Sequence, residues 1–340
     1  MNILPIHLLF TRFVRCDFVT RAARLTMSVL LLAGFVLARD PVPPAAKPVA
    51  MVLTWSGSPT WSDGKTTRPL RSYDRLRPGE VVSAGPGGTV LLYFPEDGHK
   101  ELLHADASVV LQAKNGKATG KVEVIDSKLN AENRDALREA IGTGKIGGTV
   151  LRNGKLDVLD PAIVPVSEAI VVTDRPLLRW PAVKDAANYR VTLQNAGSGK
   201  TVWVKEVATP ELKYPDDKPL TRERKYKWSV TAVFANKDEK QHLKERTFTV
   251  GTEGMAKQAA VWKELADRDD PAGQMLAAIG YEQLGMFDEL YPLYAKITQK
   301  VTDDAKLWVI YATYAAKAGL QKESDDAYQK AKKLGWREEP

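Results

Sequence analysis

Cysteine is almost missing from this chain of 340 residues, Cys16 being the single one. Beyond residue 16 no disulfide, thiolate metal site or cysteine nucleophile can form, so the fold is held by burial alone. Histidine is nearly as scarce, with only His7, His99, His104 and His242. His99 and His104 bracket a predicted strand at a spacing that turns them to opposite faces of a sheet, so no shared metal is expected. A dominant charge sign is missing too: 49 Lys and Arg against 42 Asp and Glu leave a formal +7. No stretch clusters cations among aromatics, which sets nucleic acid aside as a partner. The apolar run Met27–Leu37 holds 11 residues, too few for a bilayer span of about 20.

That short run is the core of a leader. Arg12, Arg15, Arg21 and Arg24 precede it, and Val36-Leu37-Ala38 ends it with slender side chains that suit a signal peptidase. Residues 1–38 are expected to be a signal peptide cleaved after Ala38, or else an uncleaved signal anchor. Phe13-Val14-Arg15 before Cys16 is not the small, apolar run that precedes a lipidated cysteine. The chain is therefore expected in the periplasm or secreted, touching the inner membrane only if the leader stays attached. Residues 39–50, rich in Pro and Ala, read as an extended linker.

Residues 51–126 carry strand chemistry. Met51–Trp55, Val81-Val82, Val90-Leu-Leu-Tyr-Phe94, Val109-Val-Leu111 and Val122-Glu-Val-Ile125 are short apolar or alternating runs. Gly85-Pro-Gly-Gly88 and Asp97-Gly98 separate them as turns, which predicts a compact all-β unit. The series Asp74-Arg-Leu76, Pro78-Gly79-Glu-Val81, Gly85–Phe94, Asp97-Gly98 and Ala107–Leu111 resembles the FecR domain, with Glu80 where that family usually has Asp. The resemblance implies a β domain of the bacterial envelope, in some members tied to signalling.

Residues 127–164 read as a connector. A helix is predicted over 131–141, with Asn130 as N-cap and Gly142 just past its end, followed by a hairpin turning at Asn153-Gly154. Residues 165–251 then give a β-sandwich. Tyr189-Arg-Val-Thr-Leu193 and Tyr226–Phe234 alternate with period two, and Val202-Trp-Val204 pairs back across a Gly-rich turn. This stretch resembles a fibronectin type III or immunoglobulin-like domain. In that likeness Trp180 is the core tryptophan, and Leu220, Tyr226, Val230 and Ala232 fit a tyrosine corner.

From residue 255 to 337 the period becomes helical. Asp270-Pro271 is an N-cap followed by a first-turn proline, opening a helix that stops at Gly285. Three more helices are predicted over 288–300, 304–318 and 322–334, and an extra one over 256–266. Gly285 recurs as Gly319 and Tyr294 as Tyr328, an offset of 34 residues that is similar to the tetratricopeptide period. In that likeness Trp308, Tyr328 and Ala331 are packing residues of helical hairpins. Gln274 stands where the first repeat would have tryptophan, and Pro292 lies inside its second helix.

The expected architecture is thus multidomain: an all-β FecR-like domain, a fibronectin type III- or Ig-like sandwich, and a C-terminal all-α array of TPR-like hairpins. Catalysis is not expected. Gly197-Ser-Gly-Lys-Thr201 mimics the tail of a P-loop, but Gln194 replaces the earlier glycine and a strand follows. The pairs Asp269-Asp270 and Asp303-Asp304 stand at helix starts, where negative charge meets the helix dipole. No cofactor and no metal is expected.

Two kinds of binding surface remain. The repeat's concave positions correspond to Glu282, Lys306, Val309, Thr313 and Lys317, candidates for docking an envelope protein or peptide. Trp55 and Trp61, in a loop rich in Gly and Ser, are candidates for stacking on a cell-wall glycan. The reading is a non-catalytic, exported interaction scaffold. The alternatives are a peptidoglycan- or polysaccharide-binding module centred on the FecR-like domain, or a FecR-related signalling component.

Overall fold

A computed structural model describes residues 46–113, 116–144, 163–215, 217–236 and 239–337. The leader and the hairpin expected at Asn153-Gly154 lie outside the described residues. The first ten strands are β1 (Ala50–Ser56), β2 (Thr60–Ser62), β3 (Thr67–Pro69), β4 (Arg75–Leu76), β5 (Val81–Ser83), β6 (Thr89–Tyr93), β7 (His99–Leu103), β8 (Ser108–Leu111), β9 (Gly116–Thr119) and β10 (Val122–Asp126). They form two five-stranded sheets, ordered β10-β7-β6-β1-β4 and β3-β2-β5-β8-β9, with every pairing antiparallel. Val52, Val90, Leu92 and Leu103 from the first sheet share a core with Val82, Val109 and Leu111 from the second.

The first sheet is covered on both faces. Successive strand residues point to opposite sides, so Met51, Leu53, Leu91 and Tyr93 face away from that core. They are packed in a second cluster together with the helices. This explains why β1 and β6 are continuous apolar runs and do not alternate: strands with two buried faces read that way.

The helix α1 (Ala131–Thr143) is capped by Asn130, whose side chain accepts from the Asn133 N–H. It ends later than expected, because Gly144 and not Gly142 takes the left-handed turn at φ 75°. Leu137, Ala140 and Ile141 join the cluster below the first sheet.

The middle unit comprises β11 (Ala169–Val171), β12 (Leu177–Arg179), β13 (Ala186–Asn195), β14 (Thr201–Val207), β15 (Glu211–Lys213), β16 (Lys225–Phe234), β17 (Lys240–His242) and β18 (Arg246–Val250). One sheet runs β11-β18-β16-β13-β14 with β17 beside β16, and β12-β15 forms the second. Trp180, Tyr189, Val191, Leu193, Trp228 and Phe248 build its separate core. Trp180 meets Tyr189 edge-on, with ring centroids 5.5 Å apart. The expected corner is formed: the Tyr226 hydroxyl accepts from the Thr221 N–H at 2.9 Å and donates to the Thr221 carbonyl at 3.3 Å. Gly197–Thr201 closes the β13–β14 hairpin, its turn held by Asn195 Oδ1 accepting from the Gly197 and Ser198 N–H groups.

Five helices end the chain: α2 (Glu253–Asp267), α3 (Pro271–Leu284), α4 (Phe287–Lys300), α5 (Ala305–Lys317) and α6 (Gln321–Lys333). The offset of 34 residues read in the sequence is structural, since α3 and α5 begin at Pro271 and Ala305, and α4 and α6 at Phe287 and Gln321. Asp270 caps α3 through the Ala272 and Gly273 N–H groups, and Asp304 caps α5 through those of Lys306 and Leu307. Trp262 of α2 lies so close to α3 that a Cβ on Gly280 would stand 2.2 Å from its ring. Buried Gln274 donates to the Arg268 carbonyl at 2.8 Å.

The middle sandwich meets the helices through main-chain groups. The Ile170 N–H donates to the Gly285 carbonyl at 2.9 Å, and the Val166 N–H to Asp288 Oδ1 at 2.8 Å. The β unit, α1 and α2–α5 share one core, so the sandwich interrupts, in sequence, a unit built from both of its flanks. No helix among the described residues is long and apolar enough to cross a membrane.

Candidate functional site

Three of the residues singled out in the sequence fall along a seam where the loops around β3 and β4 meet the first turn of α5: Lys306, and Trp55 and Trp61, which lie on β1 and β2 and not in a loop. Asp304 is its centre. The carboxylate is 2% exposed and accepts four N–H groups. Oδ1 takes the amides of Lys306 and Leu307, while Oδ2 takes the Ser72 amide at 2.8 Å and the Trp55 indole at 3.2 Å. A helix cap has thereby become a tie between two parts of the chain.

Beside it stands Asp74, whose side chain is 12% exposed. Its Oδ2 accepts from Arg68 Nη1 at 2.7 Å and from the Arg71 amide at 2.9 Å. The Lys306 ammonium is 4.0 Å from Oδ1, beyond hydrogen-bond reach. Burial holds the Lys306 pKa below the usual lysine range, an effect that Asp74 and Asp304 oppose and Arg71 and Arg68 reinforce. Trp61 lies alongside: its indole N–H donates to Glu80 at 2.9 Å, and the Arg68 guanidinium covers its ring at 4.5 Å. On the other side the Arg71 guanidinium lies 5.6 Å from the Trp336 ring centre.

The seam thus brings Trp55, Trp61 and Lys306 together, with Arg68, Arg71, Asp74, Asp304 and Trp336 added. The other expected docking positions are engaged elsewhere within the chain. Glu282 accepts from the Tyr314 hydroxyl at 2.7 Å, and the Lys317 ammonium lies over the rings of Phe287 and Tyr314 at 4.5 and 5.1 Å. Val309 and Thr313 are buried, the Thr313 hydroxyl donating to the Val309 carbonyl at 3.0 Å. None of these four side chains stands as an unengaged wall of an open groove.

Deeper in the seam, buried Tyr73 donates to the Met275 carbonyl at 3.2 Å and receives the Tyr294 hydroxyl at 3.3 Å. Burial lifts both phenols well above the ordinary tyrosine range. Tyr294 stacks on Tyr314 with centroids 5.5 Å apart. This polar thread was not singled out in the sequence, although the two-faced apolar runs of β1 and β6 signalled that something must cover the first sheet.

Away from the seam, His99 Nδ1 lies 2.5 Å from Asp97 Oδ1 and its Nε2 3.3 Å from Glu101 Oε1, while His104 Nε2 faces Glu123 at 3.7 Å. Among the described residues no three His, Cys, Asp or Glu side chains are grouped so as to hold a metal ion. The sandwich carries an open cleft of about 440 Å³ between 181–184 and 241–244.

No protein-family profile matches the chain, and no curated protein matches it. It is similar to several solved structures. The fn3 domain of the human collagen alpha-1(XX) chain has 21% identity and a TM-score of 0.23, over 30% of this chain and 95% of that one. The FN1-FN3 domains of chicken CNTN1 have 9% identity and a TM-score of 0.22, over 61% of this chain and 55% of theirs. A beta-1,2-glucanase from Parabacteroides distasonis has 11% identity and a TM-score of 0.23, over 85% of this chain and 59% of that one. At such scores the reading of the middle unit rests on its own two sheets and tyrosine corner: a fibronectin type III-like sandwich between a two-sheet β unit and five C-terminal helices.

Proposed function

We propose that this chain is a non-catalytic, exported envelope protein that acts as an interaction scaffold, with a FecR-like β domain and a TPR-like helical tail on either side of the sandwich. The observation that carries this reading is the paired start of α3 with α5 and of α4 with α6, 34 residues apart. Stacked hairpins of that kind offer partners an extended surface. Because four of the five expected concave positions are engaged within the chain, the surface offered is the outer side of α6, where Glu323, Asp325 and Gln329 are exposed. The partner is an envelope protein or peptide. Photo-crosslinkers placed at Glu323 and Gln329 in living cells should trap a discrete envelope protein, and mature chain from the periplasm should begin at Arg39. Crosslinks to nothing but the chain itself, or a product confined to the cytoplasm, would refute the reading.

A second reading is favoured by the seam: a polysaccharide-binding module in which the β domain contributes Trp55 and Trp61. What supports it is the convergence of these tryptophans with Trp336 and three cationic side chains. Sedimentation with purified cell-wall polysaccharide, lost when Trp61 becomes alanine, is its test. A FecR-related signalling role would require a separate membrane partner, which the same crosslinking would trap.

A further inference from the structure

We infer that the seam is a binding site for the carboxylates of an acidic polysaccharide, with Lys306 and Arg68 as its charged contacts. The inference rests on the polysaccharide reading and narrows it to one ligand chemistry.

Three cationic side chains from separate stretches of chain meet here: Arg68 of β3, Arg71 of the following loop and Lys306 of α5. The three carboxylates among them are already committed, Glu80 Oε2 accepting from the Trp61 indole and the Arg77 amide. Asp304 is saturated by four N–H donors. Asp74 Oδ2 serves Arg68 and the Arg71 amide, and its Oδ1 stays 4.0 Å from the Lys306 ammonium. Lys306 is thus a cation with a side chain only 22% exposed, whose one ion-pair partner among the described residues, Asp74, stays at 4.0 Å, beyond hydrogen-bond distance. An ammonium in that position gains most from an incoming anion, because a partly desolvated charge binds its counter-charge more strongly than one in open water.

The same geometry selects an acidic sugar over a neutral one. A neutral pyranose would stack on the indole face of Trp61, but Arg68 covers that ring at 4.5 Å. The guanidinium therefore presents itself where the sugar would lie, and its planar fork matches a carboxylate. Arg68 keeps 40% of its side chain exposed, so it can reach a ligand while remaining on Asp74. The indoles of Trp61 and Trp336, each partly exposed, lie against the two guanidiniums at 4.5 and 5.6 Å. Trp61, Arg68, Arg71 and Trp336 are each partly exposed, so a ligand can reach this edge of the seam from solvent.

Calorimetric titration of the full chain with oligogalacturonate, with a neutral oligosaccharide of equal length and with polyphosphate tests this. Oligogalacturonate should bind, the neutral sugar should not, and Lys306→Met and Arg68→Gln should each weaken binding by about tenfold, the loss of one charge-assisted contact. Lys322→Met, removing an exposed cation of α6 that is 86% exposed, should change nothing. Arg68→Gln alters an exposed side chain and keeps the test decisive if Lys306→Met fails to fold. Equal affinity for the neutral sugar, or wild-type affinity in both variants, overturns the carboxylate site while leaving a general polysaccharide module standing. Binding of polyphosphate alone overturns both, as does binding of none of the three.

Discussion

The indole N–H of Trp55 donates to the carboxylate of Asp304 across 249 residues of sequence, joining the end of the first β-strand to the start of the fifth helix. Asp304 does for α5 what Asp270 does for α3, capping two amides, and then takes two further donors from the β unit. The repeat thus supplied a cap, and the seam gave one copy of it a second task.

Asp304→Ala should therefore cost about 2–4 kcal/mol, the sum of a lost cap and of buried donors left without an acceptor. Asp270→Ala, losing a cap alone, should cost about 1 kcal/mol. Urea melts of the two purified variants check the contrast. Equal midpoints would show that Ser72 and Trp55 find other acceptors.

Gly280→Ala should destabilise, although alanine is the better helix former by about 1 kcal/mol. The added methyl would lie 2.2 Å from the Trp262 ring, and overpacking of that kind costs about 1–3 kcal/mol. Trp262→Leu in the same chain should recover part of the loss, so the double variant should be more stable than the sum of the singles. A rise in melting temperature for Gly280→Ala alone would refute the close approach.

Trp180→Ala should cost about 3–5 kcal/mol by opening a cavity in the sandwich. The side chain is 2% exposed and rests edge-on against Tyr189. Native-like melting of the variant would be the contrary result.

Stability should decline as pH rises through neutrality. Burial pushes the Asp288 carboxyl from its ordinary 3.8 up to about 7, against the pull of the Val166 N–H. Burial moves Glu289 in the same direction, while Lys263 and Lys296 restrain it. The folded chain therefore keeps a proton that the unfolded chain releases. The stabilisation is complete below the ordinary carboxylate range and is lost as pH climbs to about 7 and beyond. Asp288→Asn keeps an acceptor for Val166 and removes the titration, so its denaturation midpoint should vary less than wild type's between pH of about 5 and 8. Parallel pH profiles for the two proteins would contradict this.

The helix caps, the turns, the period change near residue 255 and the tyrosine corner were legible because each depends on a few neighbouring residues. Asp270-Pro271 announces α3 without any knowledge of what surrounds it. The seam was not legible in that way. Lys306 was singled out from its place in a repeat, and the repeat says nothing of Asp74, which reaches it from more than two hundred residues upstream. Val309 and Thr313 likewise matched a pattern whose usual exposure fails here, since α5 is buried on more than one side. The one sequence signal for the missing cover was the unbroken apolar run of β1 and β6, which no solvent-facing sheet would carry.

The place of the sandwich within the chain governs how the molecule can assemble. Its own hydrophobic cluster lets it condense from contiguous sequence, whereas Met51, Leu53 and Tyr93 must wait for helices that emerge from synthesis long afterwards. Loop-closure entropy grows with the length of slack chain between the two halves, so a pre-formed sandwich that draws its two ends together shortens the search. Gly251, at its exit, donates its N–H to Val171 near its start. The inserted unit is thus a folding clamp for the unit it divides.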